Sequence, residues 1–349
     1  MTQTITETIG VDLGDKYSAY FVVDQASGEE VARGRLRTRP GDFERFFASR
    51  GTARVVMEAG THSPWASRIT KPFCAETYVA NSRTLRFIYG NSRKSDDKDA
   101  EALARVGRAD PKLLSAIQHR GEAAAKDLAV IRARSVMVGC RTDLVNSLRG
   151  LVKSFGARLP RLNTDSIGEK TARLLPEELR DQLTPLLLSI QHLSKQIASM
   201  DRTIRKAARE SYPETSALTQ VWGIGELTAL AYVLTLEDPD RFRHSRTAGA
   251  FLGLVPRRDQ SGETDKELRI TKAGDALLRT LLVECAQRML QRNAPDTDLK
   301  RHGLRIAADG GKVAKRKAVV AVARKLAVLL HSLWKTGEVY QPLRSERVD

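Results

Sequence analysis

Residues 9–14 read IGVDLG, and this short stretch decides how the first part of the chain folds. Apolar residues at 9, 11 and 13 alternate with Gly10, Asp12 and Gly14, which predicts a β-strand with one apolar face. Asp12 lies on the other face of that strand. Because acidic residues are disfavoured in strands, a carboxylate at this position indicates a function rather than a packing role.

Four further strands are predicted after this one. The first two join through the turn-like QASGEE into a three-stranded antiparallel start, and the next has an apolar run typical of a strand buried on both faces. Short helices are predicted over Pro40 to Ala48 and Pro64 to Ile69, and another begins near Ser95. Strands followed by helices in this order are typical of a ribonuclease-H-like α/β domain. The predicted strands are YSAYFVVD (17–24), EVARGRLRTR (30–39), ARVVMEAG (53–60) and ETYVAN (76–81).

Four acids stand out in this segment: Asp12, Glu58 at the end of VVMEAG, and Asp96 and Asp99 in RKSDDKDAEALARV. On a helix that begins near Ser95, Asp96 and Asp99 share one face because they lie three residues apart. A simpler interpretation is that Ser95 caps the helix and the acids complement its dipole. Together with Asp12 inside a strand, the pattern favours a divalent-metal site, since carboxylate oxygens are ligands for Mg²⁺.

The composition predicts a polyanionic partner. The 349 residues carry 58 Lys and Arg against 42 Asp and Glu, a net charge of +16, and a pI near 10. Such a surface suits the phosphates of nucleic acid. Residues 1–110 contribute 17 basic and 15 acidic side chains, so most of the excess lies beyond the acid-bearing segment. The length suggests two or three domains.

The cysteines and the hydropathy exclude several classes of protein. Cys74, Cys140 and Cys285 are odd in number and far apart, so neither a disulfide framework nor a zinc site is expected. The histidines form no metal-binding motif, although His62, four residues after Glu58, is near enough in sequence to approach a metal. No apolar run reaches membrane-spanning length, and the N-terminus does not resemble a signal peptide. We expect a cytoplasmic protein without a membrane partner.

The middle of the chain is predicted to be helical. A helix from about Gly121 to Phe155 carries an apolar stripe with heptad-like spacing. A second helix is predicted to begin with Thr184 as its cap and Pro185 in its first position. An intramolecular hairpin and an intermolecular coiled coil fit this pattern equally well. Arginines interleaved with the first stripe either track phosphates or form a solvated face; they include Arg132, Arg141 and Arg149.

The C-terminal third is predicted to be mainly helical. Gly223 and Gly225 in VWGIG suggest a helix-hairpin-helix, whose glycines let backbone amides approach a phosphate. A polar loop carries Ser261 and Gly262, which by itself indicates only a turn. We expect domains at 1–112, 113–215 and 216–349. Further basic residues are candidates for nucleic-acid contacts: Arg93, Lys94, Lys272, Arg279, Lys315, Arg316, Lys317, Arg324 and Lys325.

Two sets of motifs, in order along nearly the whole chain, resemble the insertion-sequence transposases of the "one-ten" family, which are RNA-guided recombinases. The first set, VDLG, VVMEAG and RKSDDKDAEALAR, resembles their RuvC-like DEDD domain. The second resembles their transposase domain. One departure is Ala273-Gly274-Asp275, where the family commonly has a basic residue, Gly and Asn. The second set comprises VWGIG, FLGLVPRRDQSG, ITKAGDALLR and AVVAVARKLAVLLHSLWKTGEVY.

The resemblance implies a mechanism. Ser261 would be a nucleophile that forms a covalent phosphoserine link with DNA, and Asp12, Glu58, Asp96 and Asp99 would bind Mg²⁺ or Mn²⁺. A structured noncoding guide RNA, the bridge RNA, would choose donor and target DNA by base pairing. A homodimer or homotetramer is implied as well. Two alternatives stay open: a resolvase-like nuclease that uses water, with Ser261 structural, and an inactive nucleic-acid-binding protein.

Overall fold

The computed structural model describes residues 4–83, 95–261 and 264–344. The chain divides into two compact units, Met1–Arg120 and Gly121–Asp349. The first is a mixed α/β unit and the second is mostly helical, which confirms the predicted fold class at this level. The finer division into domains at 1–112, 113–215 and 216–349 stays a prediction.

The first unit is built on one five-stranded sheet with the order β3-β2-β1-β4-β5. Antiparallel pairs join β1 to β2 and β2 to β3, and parallel pairs join β1 to β4 and β4 to β5. The predicted strands are confirmed at nearly the predicted bounds. They are β1 (Glu7–Asp12), β2 (Tyr17–Asp24), β3 (Glu30–Arg37), β4 (Ala53–Glu58) and β5 (Glu76–Ala80).

Helices cover both faces of this sheet. Helices α1 (Pro40–Phe47) and α2 (Ser63–Thr70) lie on the face to which Ile9 and Val11 point. Helix α3 (Asp96–Ala109) covers the opposite face, where its Ala100 and Ala104 pack among side chains of β2. The alternation in β1 therefore serves two cores, one on each side, as β-strand geometry requires.

The second unit contains two long helices, α4 (Glu122–Ser154) and α5 (Arg180–Glu210). They pack antiparallel, since Arg134 contacts Asp201 and Tyr212 contacts Asp127. Within one chain the helices thus form the intramolecular hairpin; an intermolecular coiled coil stays a prediction. The predicted start of α5 is wrong, because the helix begins at Arg180 and Pro185 lies inside it. Leu179 and Leu183 are buried and extend the apolar stripe ahead of the proline.

The rest of the second unit forms a further core of helices around the fully buried Tyr232. A two-stranded antiparallel hairpin projects beyond it where a polar loop was predicted, so that prediction is corrected. No helix within the described ranges combines the length and apolarity needed to cross a bilayer. The elements are α6 (Thr215–Thr219), α7 (Glu226–Leu236), α8 (Arg246–Phe251), β6 (Pro256–Ser261), β7 (Thr264–Ile270), α9 (Ala276–Met289), α10 (Asp298–Ala307) and α11 (Gly311–Thr336).

Candidate active site

Asp12 and Glu58 lie at the ends of neighbouring parallel strands. Val11 of β1 pairs in register with Met57 of β4, so the next residue of each strand, Asp12 and Glu58, lies at the same edge of the sheet. Successive side chains of a strand alternate between faces, which places Asp12 on the face of Gly10 and Glu58 on the face of Val56. Both acids therefore lie on the face that α3 covers.

Helix α3 lies directly on β1 because Gly10 has no side chain. A Cβ atom at Gly10 would collide with the carbonyl oxygen of Ala100 and lie 2.5 Å from the nitrogen of Ala104. At the other end of the helix, a Cβ at Gly107 would collide with Val56 and lie 3.5 Å from the Thr8 methyl. The C-terminal end of α3 thus lies near the start of β1, and its N-terminal end points toward the end of β1.

This direction brings the first turn of α3 to the edge that carries Asp12 and Glu58. Going back from Ala100 to Asp96 covers about 6 Å of helix at 1.5 Å per residue. Going forward from Gly10 to Asp12 covers about 6.6 Å of strand. The backbone therefore places all four predicted acids at one edge and on one face of the sheet, which sequence spacing alone could not establish.

The simpler interpretation of the α3 acids also holds. Ser95 caps the helix, because its Oγ accepts a hydrogen bond from the Lys98 amide. Asp96, Asp97 and Asp99 lie in the first turn, where they complement the helix dipole. Asp97 differs from the other two: it lies 3.5 Å from the Arg35 guanidinium of β3. Capping and metal binding are compatible, since both need carboxylates at this end.

The four carboxylates do not form a closed ligand set. Among residues 4–83, 95–261 and 264–344, no group of three or more His, Cys, Asp or Glu side chains could hold a metal ion. Within the same ranges, no ion pair joins a Lys or Arg to Glu58, Asp96 or Asp99. The backbone thus gathers the acids, and side-chain rotation at the sheet edge would be needed to bring their oxygens together.

His62 lies in the loop after β4, four residues beyond Glu58. Its Nδ1 accepts a hydrogen bond of 3.1 Å from the indole N–H of Trp65. The neutral ring must therefore carry its proton on Nε2, and that atom lies 3.7 Å from the Asp15 carboxylate in the loop after β1. His62 thus presents an N–H donor between two loops at the edge of the sheet. From the sequence, His62 was near enough to Glu58 to approach a metal but was otherwise an ordinary loop residue.

Ser261 ends strand β6 and pairs in register with Thr264 of β7. It is exposed, and no hydrogen bond from a described side chain reaches its hydroxyl. The Arg258 guanidinium bonds Asp265 across the hairpin at 3.0 Å. A serine hydroxyl without a neighbouring base is a weak nucleophile, so activation would have to come from a group that joins it in the working complex.

Three of the arginines proposed to contact nucleic acid bond groups within the second unit, and their contacts with nucleic acid stay a prediction. Arg132 donates to Asp275 at 2.9 Å, and Asp275 also caps α9 through the Leu278 amide at 3.0 Å. Arg141 is paired with Asp165, and its side chain is only 12% exposed. Arg279 donates to the carbonyl oxygens of Leu252 and Ala273 at 3.1 and 2.8 Å. Their partners lie between 6 and 143 residues away, and no sequence pattern indicated these bonds.

The other candidates are available to solvent to different degrees. Arg149 is half-buried on α4. Gly225 caps α7, and Gly223 has a φ of 87°, which favours glycine. Lys272 has a φ of 53° in the turn before α9. Arg93 and Lys94 lie outside the described residues. Lys272 is exposed, and so are all the candidates on α11: Lys315, Arg316, Lys317, Arg324 and Lys325.

Comparisons with known proteins agree with both sets of motifs. Residues 9–156 match a family model named for the DEDD transposases of IS110, and residues 215–301 match a model described as "Transposase IS116/IS110/IS902 family". A "Probable family 20 transposase" of Pseudomonas aeruginosa is 29% identical over 345 residues, covering 96% of this chain and 98% of the relative.

Two further relatives carry related names. The "Transposase for insertion sequence element IS1111A" of Coxiella burnetii is 29% identical over 341 residues, covering 95% of this chain and 91% of the relative. The "Putative transposase y4qE" of Sinorhizobium fredii is 30% identical over 292 residues, covering 80% of this chain and 70% of the relative. The similarity thus extends over both compact units.

Proposed function

The chain belongs to the IS110/IS116/IS902 family of transposases, and from this premise we propose that it is a metal-dependent, RNA-guided DNA recombinase that acts through a covalent serine intermediate. The single observation that supports the catalytic proposal best is the convergence of Asp12, Glu58, Asp96 and Asp99 on one edge of the sheet. Carboxylates gathered in this way are suited to a divalent cation at a phosphodiester.

We propose that the first unit is a ribonuclease-H-like domain of the RuvC type. The strand order β3-β2-β1-β4-β5 supports this proposal. Strand β3 is antiparallel to β2, whereas β4 and β5 both run parallel to β1. Helix α3 on one face brings its first turn to the carboxyl ends of β1 and β4. In open α/β sheets, that end of the strands is where ligands bind.

The donor chemistry of the four acids fits Mg²⁺ or Mn²⁺. Carboxylate oxygens are hard ligands, and no described cation neutralises Glu58, Asp96 or Asp99. Asp12 and Glu58 would hold the metal from the strands, and Asp96 and Asp99 would hold it from α3. When bound, the cation would supply charge neutralisation at the phosphate and would lower the pKa of a coordinated hydroxyl.

Ser261 is the proposed nucleophile. Its Oγ loses a proton and forms an ester bond with the phosphorus of a DNA strand, while the bond from phosphorus to the leaving deoxyribose oxygen breaks and that oxygen gains a proton. Attack by a hydroxyl of a second strand end reverses these changes and rejoins DNA to a new partner. The exposed position of Ser261 at the end of β6 leaves its hydroxyl accessible to a bulky strand.

The proposed partners are a guide RNA, DNA and further copies of this chain. A guide RNA would select donor and target DNA by base pairing, and the net charge of +16 supports binding of two kinds of nucleic acid. Residues 113–215 would form the helical region for oligomerisation, with residues 1–112 and 216–349 as the two catalytic domains. The active form would be a dimer or tetramer in the prokaryotic cytoplasm.

The covalent mechanism is tested by trapping a protein–DNA adduct. Labelled donor DNA, guide RNA and Mg²⁺ are incubated with the wild-type chain or with Ser261→Ala and are separated under denaturing conditions. We expect an adduct that Ser261→Ala abolishes while RNA binding persists. Ser189→Ala, which removes another exposed hydroxyl from the second unit, should form the adduct normally.

DNA cleavage without any adduct, persisting in Ser261→Ala, would refute the serine mechanism. It would instead support the alternative enzyme, a nuclease in which the four acids direct water at the phosphodiester. Loss of all cleavage in Glu58→Gln is expected for both mechanisms, so this variant reports on the acids alone.

A further inference from the structure

Helices α10 and α11 form a hairpin that borders an open groove of about 810 Å³. The two helices approach closely at Gly303, where a Cβ atom would lie 2.6 Å from Val322 and 2.5 Å from Leu290. Six residues of the hairpin line the groove. They are Asp298, Arg301, Leu304, Arg305, Ala308 and Lys325.

The charge in this groove is poorly balanced. Arg301 is held by Asp296 at 2.6 Å. Arg305 and Lys325 form no ion pair with any carboxylate in the described ranges. His302, beside them on α10, has its pKa lowered by burial and then by the positive charges of Lys325 and Arg305. The charges of Lys325 and Arg305 thus add to burial in disfavouring the protonated ring.

Helix α11 adds to the excess of positive charge near the groove. Its sequence GKVAKRKAVVAVARKLAVLLHSLWKT holds seven Lys or Arg residues and no Asp or Glu. Four of the seven lie at 312, 315, 316 and 317, in the first two turns, where the helix dipole disfavours positive charge. All four are exposed. An arrangement that both repels itself and opposes the dipole is understandable if a polyanion neutralises it in the complex.

Leu304 distinguishes this groove from a simple basic patch. Its side chain is 48% exposed among the cations that line the groove. An apolar surface beside basic side chains matches a sugar-phosphate backbone, in which apolar sugar edges alternate with phosphates. Deoxyribose suits the exposed Leu304 side chain better than ribose does, because ribose would bring its 2′-hydroxyl against this apolar group.

We propose that the α10–α11 groove binds the backbone of a DNA strand, with Arg305 and Lys325 on the phosphate oxygens and Leu304 against the deoxyribose. The identity of the polyanion rests on the proposed function, whereas the position of the site comes from the groove. Contacts of this kind hold DNA in register and carry no sequence information. The groove would therefore position DNA while base choice is made elsewhere.

The test compares charge removal inside and outside the groove. Arg305→Gln, Lys325→Gln and the double variant are made in the full chain, with Arg202→Gln as the matched control, since Arg202 is exposed on α5 and has no described partner. Affinity for a fluorescent DNA duplex is measured over a salt series in EDTA, so that no chemistry is needed. Thermal melting confirms that each variant is folded.

Each groove variant should bind DNA about threefold to tenfold more weakly, with a salt dependence reduced by about one ion, as expected for one lost phosphate contact. The double variant should lose more than either single variant. Arg305→Lys, which keeps the charge, should retain most of the affinity, and Arg202→Gln should bind like the wild type.

Equal losses in Arg202→Gln and the groove variants would overturn the proposal, because they would report net charge alone. So would unchanged DNA binding by the double variant, or a loss confined to an RNA of the same length. These outcomes are separate from failure of the proposed function. A chain without a serine adduct can still show the groove effect, and a chain that forms the adduct can lack it.

Discussion

The two compact units differ in their net charge and in where they place their charged side chains. The first unit, up to Arg120, is nearly balanced in charge, with 19 basic and 15 acidic residues, and concentrates four acids at one edge of a sheet. The second has 39 basic and 27 acidic residues and displays cations along the exposed side of α11. The four acids thus occur in the unit where basic residues are least in excess. Fewer neighbouring cations compete for their carboxylates, which stay available for a bound metal ion.

One glycine from each unit shows how much the room for a side chain can differ. In the first unit, α3 touches β1 at Gly10 with no room for a Cβ atom. In the second unit, Gly139 lies within the long helix α4 and a Cβ there would meet nothing within 4 Å. The position of the acids on α3 therefore depends on one backbone contact, whereas α4 tolerates a side chain at its glycine.

The largest expected effect comes from breaking that contact. Gly10→Ala should destabilise the first unit by about 3 kcal/mol, because the added methyl group forces α3 away from β1. Gly139→Ala, the matched change in the second unit, should be neutral or stabilise α4 by up to about 1 kcal/mol. Hydrogen exchange measured by mass spectrometry, peptide by peptide, reports the stability of each unit separately.

We expect that Gly10→Ala exchanges faster in β1 and α3. Exchange in α4 and α5 should be unchanged. Unchanged exchange throughout the first unit would mean that the sheet and helix can separate at little cost. The position of Asp96 and Asp99 would then not depend on Gly10.

A smaller effect should come from divalent metal. Ions that bind only the folded form stabilise it by about 2.7 kcal/mol at a hundredfold excess over the dissociation constant. Mg²⁺ should therefore slow exchange in β1, β4 and α3 but not in the helices of the second unit. Glu58→Gln should remove most of this protection, since it deletes one ligand.

The control for the metal experiment is Glu44→Gln on α1, an exposed acid on a helix at the opposite face of the sheet. It should respond to Mg²⁺ as the wild type does. Equal protection of both units by Mg²⁺, or full protection in Glu58→Gln, would contradict a metal site at the sheet edge.

The smallest effect concerns pH and should occur in the second unit. His331 is fully buried, and its two ring nitrogens bond the Ser245 hydroxyl and the Pro239 carbonyl oxygen, each at 2.9 Å. Burial is the main cause that lowers its pKa; the Pro239 bond and Asp240 oppose this, and Lys335 adds to it. The neutral ring donates from Nε2 to Pro239 and accepts from Ser245.

Since the folded pKa lies below the unfolded value of about 6.5, His331 stabilises the fold above that pH and loses the contribution as pH falls through and below it. The free energy of unfolding should therefore fall as the pH is lowered through this range, measured by denaturant unfolding. His331→Gln should weaken this pH dependence, and His192→Gln, at an exposed position on α5, should keep it. An unchanged pH profile in His331→Gln would assign the loss to other groups.

Much of the local structure could be predicted from the sequence. The strand at Glu7–Asp12, the Ser95 cap of α3 and the bounds of α4 at Gly121 and Phe155 follow from alternation, capping and periodicity within a few residues. The start of α5 was wrong because Pro185 resembles a first helical residue, while buried leucines on both sides of it decide that the helix continues.

The roles of the basic residues were harder to predict. Arg132, Arg141 and Arg279 were predicted as phosphate contacts, which stays a prediction, and the sequence did not indicate that each also bonds a group between 6 and 143 residues away. Conversely, Arg305 had no distinguishing neighbour in the sequence. It gained significance only where α10 and α11 place it beside Lys325 in a groove.

Residue types and their local periodicity could be established without a structure: carboxylates at 12, 58, 96 and 99, a serine before glycine at 261, a basic C-terminal helix and motifs of a transposase family. These features are local or compositional, so they can be identified without a fold. The tertiary structure was needed to show that α3 runs with its N-terminus toward the ends of β1 and β4. It was also needed to show that the α10–α11 groove brings together Arg305 and Lys325, which form no ion pair with a carboxylate in the described ranges. The physical reason is that both depend on close packing at a glycine, Gly10 or Gly303, between segments distant along the chain.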